Sequence, residues 1–245
     1  MMRIVLILLF LALTACGGGQ AVAPVGVYNK HSSKSTKSTT PPKIYTVKKG
    51  DTLYSVSWRY GQDYKTLAKA NGIKSPYTIY VGQKLRFKST KSSSKTTTKT
   101  TKTTTKKWTS KSTSSKASSS NQSLKWRWPT NGKIISTYSK SAAGRKGIDI
   151  SGKSGQQIIA AASGKVVYSG NGLPRYGNLL IIKHNDVYLS AYAHNKTLLV
   201  KEGQWIKSGQ KIATLGKSGT QRYQLHFEIR RNGKPVDPMR FLPKK

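Results

Sequence analysis

From Ser89 to Lys125 the chain runs through 37 residues dominated by lysine, threonine and serine, including "KTTTKTTKTTTKKWTSKSTSSKASSS". A tract with so few apolar side chains cannot offset its own ordering entropy, and its lysines repel one another. No single core can run through the middle of such a molecule. The expectation is a disordered linker over 89–125, with a stretched reach on the order of 120 Å and a typical separation of about 35 Å. It would let the C-terminal piece search a wide shell. A second Gly/Ser/Thr/Pro/Lys-rich stretch, 16–43, reads as another disordered tether. Folding is thereby confined to 44–88 and 126–245, a multidomain plan. Composition adds 44 Lys and Arg against 7 Asp and Glu, a formal charge of +37. Such an excess suits a polyanionic partner: nucleic acid, anionic lipid or an acidic wall polymer.

The N-terminus narrows that choice. Met1-Met2-Arg3 is a short basic start, Ile4 to Leu13 is an apolar run too short to span a bilayer, and small residues follow. That is the pattern of a secretory signal peptide, here residues 1–15, so the chain is expected to be exported and nucleic acid is set aside. Leu13-Thr14-Ala15-Cys16-Gly17 resembles the lipobox of bacterial lipoproteins. Cys16 is the only cysteine, so no internal disulfide is possible, and its expected role is lipidation and a membrane anchor. By the same resemblance Gly17, in place of Asp, points to an outer-membrane lipoprotein facing the periplasm of a Gram-negative cell.

Between the polar tracts, Ile44 to Val47 reads as a short strand, and a helix carries Leu53, Val56, Ser57 and Tyr60. Asp51 is placed to cap this helix, Gly61 to stop it, a second helix carries Tyr64, Leu67, Ala68 and Asn71, and a strand over Leu85 to Phe87 closes a β-α-α-β unit. The Tyr45-Thr46-Val47-Lys48-Lys49-Gly50-Asp51-Thr52-Leu53 opening, the Asn71-Gly72-Ile73 turn and the Val81-Gly82-Gln83-Lys84-Leu85 ending resemble a LysM domain over 44–88. The resemblance implies peptidoglycan binding through N-acetylglucosamine, with Gly50, Asp51, Thr52, Leu53, Gly72, Ile73, Pro76 and Ile79 lining the groove. Backbone amides would bond an acetamido group while Leu53, Ile73 and Ile79 pack on the sugar face. Asp51 as helix cap is an equally open reading.

From Trp126 onward, "GKVVYSG", "NLLIIKH", "VYLSAYAH", "KIATLG" and "LHFEIR" are strand-like, with no long helical period. The spacing predicts an all-β domain. Gly147-Ile148-Asp149-Ile150, Tyr176-Gly177-Asn178, Tyr192-Ala193-His194 and Leu225-His226-Phe227-Glu228 resemble the LytM, or lysostaphin-like, zinc metallopeptidases across 126–245. In active members His-x-x-x-Asp and the last residue of His-x-His hold zinc, with two further histidines acting on water and oxyanion. Here the first ligand position is Arg145 and His-x-His reads Gln224-Leu225-His226. A guanidinium has no lone pair to donate and repels a dication. Three protein ligands are what a hydrolytic zinc needs, and two remain. The expectation is a degenerate domain with no metal, no cofactor and no catalytic residue of its own. Asp149, His194, Gln224 and His226 would be relics, with Asp149 free to pair with Arg145 or Lys146. Of the other histidines, His31 lies in the first tether, and His184 reads as a structural residue at the end of an apolar strand.

The order of lipobox, LysM, basic linker and degenerate LytM domain resembles the NlpD and EnvC group of murein hydrolase activators. That implies a non-catalytic protein that binds a periplasmic N-acetylmuramoyl-L-alanine amidase and relieves its autoinhibition. Residues 126–245 carry 21 basic and 5 acidic side chains, near +16, which suits an acidic partner surface. Arg145, Lys146, Tyr138, Arg175, Tyr176, Tyr192, Arg222 and Tyr223 are the expected partner-binding residues, being the types that dominate binding hot spots. Two other readings stay open: an active zinc peptidoglycan endopeptidase with an unusual site, and a passive cell-wall tether.

Overall fold

The computed structural model of the chain describes residues 40–87, 124–141 and 145–244. Cys16, the signal segment, His31 and most of both polar tracts lie outside the described residues. In the first folded piece, β1 (Ile44–Thr46) pairs antiparallel with β2 (Lys84–Arg86), Tyr45 opposite Leu85. Between them lie α1 (Leu53–Arg59) and α2 (Tyr64–Ala70). Tyr45, Val47, Leu53, Val56, Leu67, Ala68, Leu85 and Phe87 form one small core.

The helix start falls one residue later than the sequence suggests. Thr52, not Asp51, caps α1: its hydroxyl accepts from the Ser55 amide at 3.0 Å, and the Ser55 hydroxyl accepts from the Thr52 amide at 3.0 Å. Leu53 must enter the core as the first helical residue, so the cap falls to the residue before it. Asp51 instead ties the preceding turn. Its carboxylate accepts from the Lys48 amide at 2.9 Å and the Tyr45 hydroxyl at 2.6 Å, and pairs with Arg59 at 3.3 Å.

The second piece is all antiparallel strand. Its main sheet runs β3 (Ile134–Ser136), β4 (Ile148–Ser151), β11 (Gln224–Arg231), β8 (Tyr188–Leu198), β7 (Asn178–Lys183), β6 (Gly164–Gly170), β9 (Trp205–Ile206). Off this path, β10 (Lys211–Leu215) joins β5 (Gln157–Ile159) to β8, and β12 (Lys234–Val236) extends β11. A 3-10 turn, Pro238–Arg240, follows. Ile148, Ile150, Leu180, Ile182, Tyr192, Leu225, Phe227 and Ile229 fill the core on one face.

Strand β7 is apolar at four consecutive positions, and all four are buried. Alternation sends Leu180 and Ile182 into the main core, leaving Leu179 and Ile181 on the opposite face. That face is covered from outside the sheet: Trp58 and Tyr64 of the helical piece share a cluster with Tyr168, Leu179, Ile181, Ala191 and Ala193. The Thr52 hydroxyl donates to the Val167 carbonyl at 3.1 Å, and Arg59 donates to the Gly172 carbonyl at 3.1 Å. Lys65 pairs with Asp186 at 3.3 Å. At Gly233 a β-carbon would come within 2.6 Å of the Asp63 backbone, so the two backbones touch. The pieces are therefore docked rather than independent, since a sheet face of leucine, isoleucine and alanine needs a cover.

Candidate functional site

Strand β11 reads "QLHFEIRR", and its alternation separates two chemistries. Leu225, Phe227 and Ile229 enter the main core; Gln224, His226, Glu228 and Arg230 make a polar stripe on the other face that is buried as well. Register brings neighbours to this stripe. His226 lies opposite Asp149 on β4 and opposite Ala193 on β8, which puts His194 beside it, the two imidazole centroids 6.1 Å apart.

The stripe is a chain of alternating charge. His226 Nδ1 lies 2.6 Å from Asp149 Oδ1 and His226 Nε2 lies 3.2 Å from Glu228 Oε1. Arg230 Nε donates to Glu228 Oε2 at 3.1 Å, and Tyr176 Oη donates to Glu228 Oε1 at 2.8 Å. Arg230 then reaches the helical piece: Nη1 donates to the Trp58 carbonyl at 2.9 Å and its guanidinium carbon sits 3.5 Å from the centre of the Trp58 ring. The Glu228 and Arg230 side chains are 1% and 5% exposed, so each charge depends on its partners.

Protonation follows from the geometry. Burial alone would lower the His226 pKa, but hydrogen bonds to Asp149 and Glu228 and their charges outweigh it and raise it to about 9. Burial would raise that of Glu228, yet the Arg230 charge and the His226 contact bring it down to about 2. At neutral pH the stripe therefore reads carboxylate, imidazolium, carboxylate, guanidinium. His194 differs: burial lowers its pKa, and its Nδ1 lies 2.8 Å from the Ser218 carbonyl. Its backbone sits at φ 66°, a left-handed conformation costly for a side chain with a β-carbon. Gly177 makes that loop possible, since a β-carbon there would meet the Ser218 carbonyl oxygen at 2.1 Å.

These donors do not fit the zinc that the LytM resemblance would bring. Both His226 nitrogens already face carboxylates, and the residue four before Asp149 is Arg145, whose guanidinium has no lone pair to donate. Among the described residues no group of three or more His, Cys, Asp or Glu side chains is arranged to hold a metal ion. Gln224 is buried beside His226, and Arg145 is exposed. The sequence suggests that Asp149 pairs with Arg145 or Lys146, but its carboxylate is taken by His226 at 2.6 Å instead. His184 is structural, bonded at its two nitrogens to Ser163 and Ser190; burial lowers its pKa to about 4.

Of the expected partner-binding residues, Arg175, Arg222 and Tyr223 are exposed, as Arg145 is, and Lys146 is half-buried. Tyr138 is half-buried, its hydroxyl donating to the Pro235 carbonyl, and Tyr176 is committed to Glu228. Tyr192 is not a surface residue. Its ring is buried in the main core against Phe227 and its hydroxyl accepts from the Ala161 amide, so no partner can reach it. Sequence reasoning misses Glu228 and Arg230, for which the alternation of polar residues at 224, 226, 228 and 230 is the one available signal.

A second candidate site lies where the two pieces meet. Asp51, Thr52, Leu53, Pro76 and Ile79 line one cavity of about 500 Å³; Gly50, Gly72 and Ile73 fall outside its lining. Leu53 is 1% exposed, so its side chain serves the small core and cannot pack on a sugar face. Ile73 and Ile79 are partly buried against the same core.

Residues 45–88 match the LysM domain, and residues 143–238 match Peptidase family M23. The chain is 41% identical over 275 residues to "Murein hydrolase activator NlpD" of Escherichia coli (strain K12), covering 89% of this chain and 73% of that one. It is 50% identical over 229 residues to "Lipoprotein NlpD/LppB homolog" of Pseudomonas aeruginosa, covering 82% and 77%. It is 41% identical over 238 residues to "Outer membrane antigenic lipoprotein B" of Histophilus somni, covering 87% and 69%.

Proposed function

Because the chain belongs to the NlpD family of murein hydrolase activators, we propose that it is a non-catalytic activator of a periplasmic N-acetylmuramoyl-L-alanine amidase, held to the envelope through a lipidated Cys16 and to peptidoglycan through its LysM domain. The observation that carries the non-catalytic reading is His226, whose two nitrogens are spent on Asp149 and Glu228 within a self-neutralising stripe. The salt bridges of this stripe support that reading, and Arg145, Arg175, Arg222 and Tyr223 are exposed on the same domain. Exposed cationic and aromatic side chains on a basic domain suit an acidic peptide segment.

The mechanism is a population shift. An inhibitory segment that covers the amidase active site is in equilibrium with a released form. A cleft that binds only the released form raises the open fraction in proportion to its differential affinity. The partner then carries out the hydrolysis, and the LysM domain keeps the pair on its substrate.

The test is dye release from labelled peptidoglycan by amidase alone, the chain alone and the two together, with Arg145→Glu in parallel. Release is expected to rise with the mixture and to fall back to the amidase-only level with the variant. Chelator-sensitive release by the chain alone would make it a peptidase. Equal release by amidase with and without the chain would make it a passive tether.

A further inference from the structure

The cavity at the LysM loops has a second wall. Opposite Thr52, Pro76 and Ile79 it is lined by Lys165, Glu202 and Trp205 of the M23-like domain. The walls are stapled at the back by the Thr52 hydroxyl donating to the Val167 carbonyl. At about 500 Å³ the space is in the ~300–1,000 Å³ range of small-ligand sites.

Trp205 is hard to explain by folding. In the two-residue strand β9, Ile206 is buried, so alternation turns Trp205 outward, where it is 72% exposed. Any polar residue would satisfy that position. The tyrosines lining the cavity, Tyr54 and Tyr77, are packed against Tyr64 and each other. Trp205 is thus the lining ring that offers its surface to an incoming ligand. Lys165 places its ammonium 6.0 Å from the ring centre, and Glu202 accepts from the Ser169 amide at 3.1 Å at the same rim. A flat aromatic face, a cation and a carboxylate are what a sugar carrying hydroxyl, acetamido and carboxylate groups requires.

We propose that the glycan site is composite: a β-1,4-linked strand of N-acetylated amino sugars lies between the LysM loops and the M23-like domain, stacking one ring on Trp205, with Lys165 meeting the carboxylates of murein. This rests on the glycan-binding reading of the LysM domain and extends it across the seam. A ligand that touches both walls favours the docked arrangement, so wall binding and the posture of the M23-like domain become one equilibrium.

The experiment measures binding of the full chain to an N-acetylglucosamine tetramer and to purified murein fragments bearing stem peptides, by calorimetry. Trp205→Ala is expected to weaken both by about tenfold or more, and Trp205→Phe to recover most of the loss. Lys165→Ala is expected to weaken only the murein fragments. Ile79→Asp, on the LysM wall, should abolish both. If Ile79→Asp abolishes binding while Trp205→Ala stays within twofold of the parent, the composite site is refuted and the LysM reading stands. If Ile79→Asp also binds normally, both fall.

Discussion

Replacing Arg230 with alanine probes the contact between the two folded pieces most directly. The substitution removes the hydrogen bond to the Trp58 carbonyl, the guanidinium stacked 3.5 Å from the Trp58 ring, and the ion pair that neutralises Glu228. Removing one partner of a buried pair costs about 3–5 kcal/mol, because a charge is left desolvated. A desolvated cation–π contact is worth about 2 kcal/mol, but the two losses share one side chain and will not add. The expected result is a stability loss of about 3–5 kcal/mol, or a melting temperature lower by about 10–20 °C. Urea unfolding followed by tryptophan fluorescence would measure it. The double variant with Glu228→Gln should be less destabilised than the sum of the singles, since the glutamine leaves no charge unpaired. A loss under about 1 kcal/mol, with strictly additive singles, would refute the view that the stripe holds the domains together.

Linkage supplies a pH prediction. His226 is raised from 6.5 to about 9, so its contribution is complete below about pH 6.5 and is lost as pH climbs through about 9. Glu228 is lowered from 4.5 to about 2, so its contribution is present above about pH 4.5 and is lost as pH falls through about 2. The two shifts share the contact between His226 and Glu228, so they are not additive, and urea midpoints should form a plateau near pH 5–6 whose alkaline edge disappears in His226→Gln. Gly177→Ala should cost at least about 2 kcal/mol in the same assay, because its β-carbon meets the Ser218 carbonyl and its φ is 60°. Displacing Ser218 also removes the hydrogen bond to His194, visible as a shift of that imidazole in nitrogen NMR.

Much of the architecture was legible because it is written in local patterns. Alternation in "LHFEIR", the glycines at turns and the apolar spacing of 53–68 each carry their own period, and both helices, β1, β2, β6, β7, β10 and β11 lie within a residue of the expected segments, whereas β8 runs on to Leu198 and the short strands β3, β5, β9 and β12 have no such signal. Arg145 and Gln224 standing where histidines would be needed could also be read without coordinates, since ligand chemistry belongs to the side chain. The helix cap went to Thr52 instead of Asp51 because the cap is chosen by which residue first meets the core. Tyr192 failed as a surface residue for a similar reason: its strand is buried on both faces, and no single-strand pattern says which face is covered by what.

Composition and motif alone point to a basic tract between a LysM segment and an M23-like segment in which Arg145 and Gln224 stand where the resemblance expects histidines. Folding in three dimensions decides what surrounds Asp149 and His226. Glu228 and Arg230 acquire their meaning from Trp58, 172 residues earlier in the chain, and Trp205 from loops more than a hundred residues away. Local sequence encodes the period of an element, whereas a buried charge is stabilised by whichever groups the topology brings within about 3 Å, and that pairing is a property of the packed whole.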